Sequence, residues 1–127
     1  MSVPRFRSGL ERQVAAQLER LGLPYDYETE RVEYIRPAKP SRYTPDFSVV
    51  TASGKRLYIE TKGRFDIDDR AKHRLIREQH PELDIRFVFS NSRNKIAKTS
   101  KTTYADWCGR YGFLFADKRI PKEWLDE

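Results

Sequence analysis

The spacing of apolar residues predicts a helix at the start of the chain and strands after it. Between residues 8 and 21, apolar side chains recur every three or four positions, as on one face of a helix, at Leu10, Val14, Leu18 and Leu21. Gly22 is a natural end for this helix. Residues 25–35 are rich in Tyr, Val and Ile, which indicates one extended segment or two short strands. Pro37 and Pro40 then predict a stiff extended linker over residues 36–41 rather than a tight turn.

A β-hairpin is predicted in the middle of the chain. Residues 43–50 and 56–62 have strand patterns, and residues 51–54 supply a turn that contains Gly54. Because side chains alternate along a strand, Leu57 and Ile59 share one face. The other face carries Tyr58, Glu60 and Lys62.

The second half of the chain predicts further helices and strands. Three aspartates at residues 66–69 favour a helix start, and the helix should run to about Gln79. Its inward residues are predicted as Ile67, Ala71, Leu75 and Ile76. There follow a strand at 85–89, a cationic loop at 90–102, a short helix from Thr103, an edge strand at 113–115 and a helical turn at 121–125. The pattern predicts one α/β domain over residues 1–127, with a mixed sheet flanked by helices.

The distribution of charge along the chain predicts an anionic partner. The net charge is +6, and residues 86–119 hold eight Lys or Arg against two Asp. The rest of the chain carries 17 charges of each sign, so the whole excess lies in one segment. Such a segment is typical of a surface that binds nucleic acid.

The rest of the composition argues against a disulfide-bonded, structural-zinc or membrane-spanning protein. A single cysteine, Cys108, excludes an intrachain disulfide, and two histidines are too few for a usual structural zinc site. No apolar run approaches the roughly 20 residues that span a bilayer. We therefore expect a cytoplasmic protein that has no membrane partner.

Two carboxylates and an amine on the predicted hairpin point to metal-dependent chemistry. Asp46 lies on its first strand, while Glu60 and Lys62 share one face of the second. Neighbouring strands are about 4.8 Å apart, so the two carboxylates can share a divalent ion with the ammonium beside it. A hard cation with oxygen ligands and a nearby lysine suits phosphodiester hydrolysis. The alternatives are that Asp46 is only a turn residue after Pro45 and that the other two lie on a solvated strand face.

Glu11 is a candidate third carboxylate on the first helix. It lies next to the apolar stripe and could reach the edge of the sheet to help hold a second ion. Ser8 three positions earlier fits a helix capping box, so from the residues alone capping is the first interpretation of Glu11 and a metal ligand the second.

Several stretches together resemble the phage endonuclease I family of Holliday-junction resolvases, which belongs to the PD-(D/E)xK nucleases. They are FRSGLE at residues 6–11, YTPDF at 43–47, ETKG at 60–63, DDRAKHRLIREQHPELDIRFVFS at 68–90 and FADKRIPKEW at 115–124. The likeness covers nearly the whole chain.

The resemblance implies a restriction-endonuclease-like fold and a set of site residues. The four active-site residues of the family fall on Glu11, Asp46, Glu60 and Lys62. The carboxylates and the carbonyl of Thr61 would hold one or two Mg²⁺ or Mn²⁺ ions. The family forms intertwined, domain-swapped homodimers whose active sites draw residues from both subunits, and the connecting bridge would lie around residues 30–43. The implied substrate is branched DNA, in particular four-way junctions, in the host cell cytoplasm if a phage encodes the protein.

Candidate DNA contacts cluster on the second helix and the cationic loop. They are Arg64, Arg70, Lys72, His73, Arg74, Arg77, Arg93, Lys95, Lys98 and Lys101. Such cations would bind phosphates without sequence preference, unless they form only a solvated face. Two other functions stay open: a sequence-dependent restriction-like or transposon-end nuclease of the same fold, and a non-catalytic DNA-binding module.

Overall fold

The computed structural model describes residues 5–36 and 39–127, without the side chains of Arg36 and Lys39. Four helices are present in these residues: α1 Gly9–Arg20, α2 Ile67–Gln79, α3 Tyr104–Tyr111 and α4 Lys122–Leu125. Seven strands accompany them: β1 Asp26–Tyr27, β2 Val32–Arg36, β3 Lys39–Tyr43, β4 Phe47–Val50, β5 Arg56–Lys62, β6 Ile85–Phe89 and β7 Phe115–Asp117. Within the described residues, no helix is long and apolar enough to cross a membrane.

Five strands form one mixed sheet in the order β1-β4-β5-β6-β7. The β1–β4 and β4–β5 pairs are antiparallel, whereas β5–β6 and β6–β7 are parallel. The parallel pairs follow from crossovers through α2 and α3, which parallel strands require. The predicted α/β fold with a mixed sheet is therefore confirmed.

Each face of the sheet carries its own apolar core. One face buries Leu57 and Ile59 of β5 against Leu18 of α1 and Leu125 of α4. The opposite face is largely aromatic, and Phe65 and Phe87 there pack with α2 and α3. Because β5 side chains alternate between these cores, its predicted two-faced pattern is confirmed.

The cap of α1 agrees with the sequence pattern. The backbone N–H of Glu11 donates to the Ser8 hydroxyl at 3.1 Å, which satisfies one free amide of the first turn. The helix ends at Arg20, before Gly22 adopts a φ of 68°.

We expect Ser8→Ala to lower the free energy of unfolding by about 1 kcal/mol, since the capping hydroxyl is lost. Chemical denaturation would measure this change. Ser8→Thr keeps a capping oxygen and should stay close to wild type. Equal stability of all three proteins would contradict the role of Ser8 as the cap.

The inward face of α2 differs from the prediction. Its buried residues are Arg70, His73 and Ile76, whereas Ile67 is 71% exposed and Ala71 is also exposed. Burial of Arg70 is possible because its guanidinium donates to the carbonyl of Phe65 at 2.7 Å. The prediction is confirmed for Ile76 and for the half-buried Leu75, and it is wrong for Ile67 and Ala71. Hydrophobicity alone chose the face, while polar groups with partners or aromatic neighbours also fit a core.

The segment that includes residues 36–41 also differs from the prediction. Pro40 and Ser41 belong to β3, which pairs antiparallel with β2 in register Arg36↔Lys39, so the chain reverses instead of continuing as an extended linker. Pro37 lies outside the described residues. Gln79 of α2 binds this pair of strands, because its side chain donates to the carbonyl of Ile35 and accepts from its N–H, both at 2.6 Å.

Smaller shifts occur at two other strands. The first strand of the predicted hairpin begins only at Phe47, so Asp46 precedes the strand and Tyr43 belongs to β3. The edge strand β7 begins at Phe115, two residues later than predicted. The cationic loop and the capped helix α3 lie where the sequence predicts them.

Candidate active site

Glu11 faces the end of the sheet from the first turn of α1. Its side chain is almost fully buried, and Oε1 accepts from the backbone N–H of Arg7 at 2.6 Å and from the hydroxyl of Tyr27 at 2.8 Å. Ser8 caps the helix through the Glu11 backbone, while the Glu11 carboxylate faces Arg7 and Tyr27. The Glu11 carboxylate thus bonds to the N–H of Arg7, one residue before the cap, instead of closing a capping box with Ser8.

Asp46 lies directly before β4 and is 2% exposed. Its Oδ2 accepts from the backbone N–H and the hydroxyl of Thr61, at 2.9 and 2.8 Å, and its Oδ1 lies 2.9 Å from a guanidinium nitrogen of Arg7. Burial raises the pKa of Asp46, and the hydrogen bonds from Thr61 partly oppose this. The carboxylate is thus held rigidly, with one oxygen toward β5 and the other toward α1.

Glu60 and Lys62 occupy the same face of β5, as predicted. The β4–β5 register pairs Phe47 with Ile59, so Asp46 lies opposite Glu60 of the neighbouring strand. The buried hydroxyl of Tyr43 donates to Glu60 Oε1 at 2.8 Å, and Lys62 Nζ lies 3.5 Å from Glu60 Oε2. Burial and the nearby charge of Asp46 raise the pKa of Glu60 to about 8. A carboxylic acid in this state releases a proton when it binds a metal ion.

Asp69 on α2 completes the surroundings of Lys62. Its Oδ1 lies 3.2 Å from Lys62 Nζ. Burial alone would lower the pKa of Lys62, but Glu60 and Asp69 outweigh it and raise this pKa above its usual value. Lys62 is therefore protonated, and its two carboxylate contacts fix the position of its ammonium group.

Among the described residues, one group of three acidic side chains lies close enough to hold a metal ion, and it includes a residue that the sequence did not reveal. One carboxylate oxygen from each of Glu11, Glu28 and Asp46 lies within 4.8 Å of the others. Glu28 is brought there by a φ of 54° and by its backbone N–H, which donates to the carbonyl of Asp46 at 3.1 Å. No periodicity marks Glu28, because a left-handed backbone conformation of one glutamate is a tertiary feature.

These donors fit a divalent cation of the magnesium class. They are oxygen atoms of carboxylates, held at short mutual distances at the end of a rigid sheet. Hard cations prefer such ligands, whereas zinc sites usually use histidine or cysteine. Glu60 borders this group, but its two oxygens face Tyr43 and Lys62.

The predicted DNA contacts fall into two classes by burial. The exposed or half-buried ones are Arg64, Lys72, Arg74, Arg77, Arg93, Lys95, Lys98 and Lys101. His73 is fully buried between aromatic rings, and Arg70 is 9% exposed and bonded to backbone carbonyls. His73 therefore has no surface with which to contact a phosphate, and Arg70 connects α2 to the cationic loop.

A groove of about 790 Å³ lies between the start of α2 and the cationic loop. Arg64, Arg70, Lys95 and Lys98 line it together with the exposed Ile67. The groove places cations from both segments on one surface.

Comparison with known proteins agrees with these features. The model of the phage endonuclease I family matches residues 1–127, the whole chain. The chain is 56% identical to endodeoxyribonuclease 1 of Enterobacteria phage T3 over 116 residues, which cover 91% of this chain and 74% of that protein. It is 52% identical to endonuclease I of Escherichia phage T7 over 125 residues, or 98% of this chain and 81% of that protein. With its carboxylates and lysine gathered at the end of a mixed sheet, the chain belongs to the phage endonuclease I family.

Proposed function

We propose that this protein is a divalent-metal-dependent endodeoxyribonuclease that resolves Holliday junctions and other branched DNA. The proposal rests mainly on one observation. Asp46, directly before β4, lies opposite Glu60 on the neighbouring strand β5, and Glu11 and Lys62 are directed to the same end of the sheet. Membership in the phage endonuclease I family supports the reaction class.

Each residue has a role that follows from its surroundings. Glu11, Asp46 and Glu60, with the carbonyl of Thr61, are proposed to hold one or two Mg²⁺ or Mn²⁺ ions, and Glu28 lies close enough to join them. When bound, such an ion would activate a water molecule and offset charge on the phosphate. Lys62 is placed to orient the attacking water or to offset the charge that develops on phosphorus, since Glu60 and Asp69 keep it protonated and directed.

Phosphate binding is proposed for the exposed cations around the groove. Arg64, Lys95 and Lys98 line it directly, and Arg93 and Lys101 extend the same loop. Lys72, Arg74 and Arg77 lie on α2. Contacts of this kind give affinity without sequence choice, and the affinity falls steeply with salt.

A symmetric dimer suits a four-way junction, because two sites at a fixed separation can cut two strands. We propose that the β2–β3 segment, within residues 30–43, is the bridge of a domain-swapped homodimer that acts in the host cytoplasm. The Arg7–Asp46 contact joins the part of the chain before this segment to the part after it. In a swapped dimer the same contact would be made between subunits.

The test is cleavage of an end-labelled four-way junction with Mg²⁺, with Mn²⁺ and with EDTA, beside linear duplexes that have the sequences of its arms. We expect paired nicks in the junction that require the metal, and little cutting of the duplexes. Equal rates on both substrates would overturn branch selectivity but leave the nuclease, and sequence-dependent duplex cutting would favour a restriction-like enzyme. Tight junction binding without any cleavage would indicate a non-catalytic module.

Oligomeric state tests the dimer separately. Sedimentation equilibrium should give twice the mass of the 15.1 kDa chain. A monomer that nevertheless cuts junctions would contradict the shared active sites and leave the chemistry intact.

A further inference from the structure

Arg7 lies across the acidic group of the active site. Its Nη2 atom is 2.9 Å from Asp46 Oδ1 and 3.4 Å from Glu11 Oε2, and its Nε atom is 2.7 Å from Glu28 Oε1. One guanidinium therefore contacts all three carboxylates of the group that could hold a metal ion. A positive group between converging carboxylates occupies the place where a metal ion would be expected.

The charges at this place are not balanced by Arg7 alone. Three carboxylates face one guanidinium, which leaves an excess of negative charge at the end of the sheet when all are ionised. A divalent cation offsets that excess better than a single guanidinium does. Both cannot bond the inner oxygens of Glu11 and Asp46 together, because like charges at such distances repel.

The side chain of Arg7 is free to turn away from the site. It is 67% exposed, whereas Glu11 and Asp46 are 4% and 2% exposed, so its contacts end at the guanidinium tip. Because the two carboxylates are buried, they need a cation beside them, and a divalent ion would replace the guanidinium in that role. The contact with the more exposed Glu28 would keep the released guanidinium beside the site.

We propose that Arg7 is a further residue of the nuclease site, which holds the place of the divalent cation in the free protein and binds a DNA phosphate once the ion is present. A guanidinium suits the second role, since its planar fork matches two phosphate oxygens. This inference rests on the proposed metal-dependent cleavage, and it assigns a residue outside the four predicted from the sequence.

The test combines metal affinity with cleavage rate in Arg7→Gln. Titration calorimetry with Mn²⁺ and no DNA should show binding about two- to fivefold tighter than wild type, because the competing guanidinium is gone. Junction cleavage at saturating Mn²⁺ should nevertheless be at least about tenfold slower, since a phosphate contact is lost. Arg7→Lys should fall between the two proteins in both measurements. Arg12→Gln removes a charge from an exposed position on α1, five residues after Arg7, and should change neither.

The proposed role predicts that Arg7→Gln binds Mn²⁺ more tightly but cleaves more slowly, and a purely structural role does not predict this combination. If Arg7 only stabilised the carboxylates, Arg7→Gln would bind Mn²⁺ equally or more weakly, and that result overturns the proposal. Wild-type cleavage rates in Arg7→Gln at saturating metal would overturn it as well. If neither protein binds Mn²⁺, the metal-dependent function falls too, whereas metal-dependent cleavage by wild type with unchanged affinity in the variant removes only the role of Arg7. Circular dichroism and melting temperature would establish that the variant is folded.

Discussion

Glu60→Gln is expected to cut a four-way junction at least about a hundredfold more slowly than wild type while still binding it. Glutamine keeps the volume of the side chain and can still accept the hydrogen bond from Tyr43, so the change removes mainly the charge. Loss of that charge weakens the hold on the metal ion and the orientation of Lys62. Single-turnover cleavage and a binding assay in Ca²⁺ would measure the two effects, and Glu60→Ala should show the same loss of cutting.

The same variant should be more stable than wild type at alkaline pH in the absence of metal. The pKa of Glu60 is raised from 4.5 to about 8 in the metal-free fold, so the folded protein binds a proton that the unfolded chain has lost. Its contribution to stability is fully present below pH 4.5 and is lost as the pH rises through 8. At pH 9 without metal, Glu60→Gln should therefore melt at a higher temperature than wild type.

Glu123→Gln is the matched control, because Glu123 is an exposed glutamate on α4. It should leave both cleavage and melting unchanged. Cleavage by Glu60→Gln within a few-fold of wild type would remove Glu60 from the catalytic set. A lower melting temperature at pH 9 would contradict its raised pKa.

Acid should destabilise the protein through His73, so that the free energy of unfolding falls as the pH drops below 6.5. His73 is fully buried against Tyr43, Phe65, Phe87 and Phe113, and neither ring nitrogen has a hydrogen-bond partner among the described residues. Burial, with the charges of Lys62 and Lys72, lowers its pKa well below 6.5. The unfolded chain therefore takes up a proton that the fold excludes, and stability falls as the pH drops below 6.5.

His73→Leu should abolish this part of the pH dependence, because leucine fills the site without a titratable group. Chemical denaturation at pH 8, 6 and 5 would measure the difference in the free energy of unfolding. His80→Gln, which removes the other histidine at the end of α2, serves as the control. Parallel pH curves for wild type and His73→Leu would show that His73 is not the group that titrates.

Local pattern was sufficient for much of the fold. Helix α1 with its Ser8 cap, strand β5 and the short helix α3 lie where the sequence predicts them, and Thr103, the predicted first residue of α3, is its cap. These elements depend on residues three or four positions apart or on strict alternation, and both patterns can be recognised in the local sequence. The pair Glu60 and Lys62 on one strand face follows from the same alternation.

Other features arise only when distant segments meet. The inward face of α2 is set by an aromatic cavity that accepts His73 and by carbonyls that accept Arg70, and hydrophobicity of the helix alone chose Ile67 and Ala71 wrongly. Tyr43 reaches Glu60 from β3, across 17 positions of sequence. No local rule encodes such contacts, because they depend on how the elements pack.

The sequence by itself determined the helix and strand pattern, the basic segment and the chemical types of Asp46, Glu60 and Lys62. It also offered Glu11 as a candidate, and the resemblance to a family favoured Glu11 as a site residue over a capping residue. Only the tertiary structure decided that Arg7 and Glu28 join the carboxylates and that His73 is withdrawn from the surface. The physical reason is that the types and spacing of residues are local properties, whereas burial and the convergence of charges depend on segments far apart in the chain.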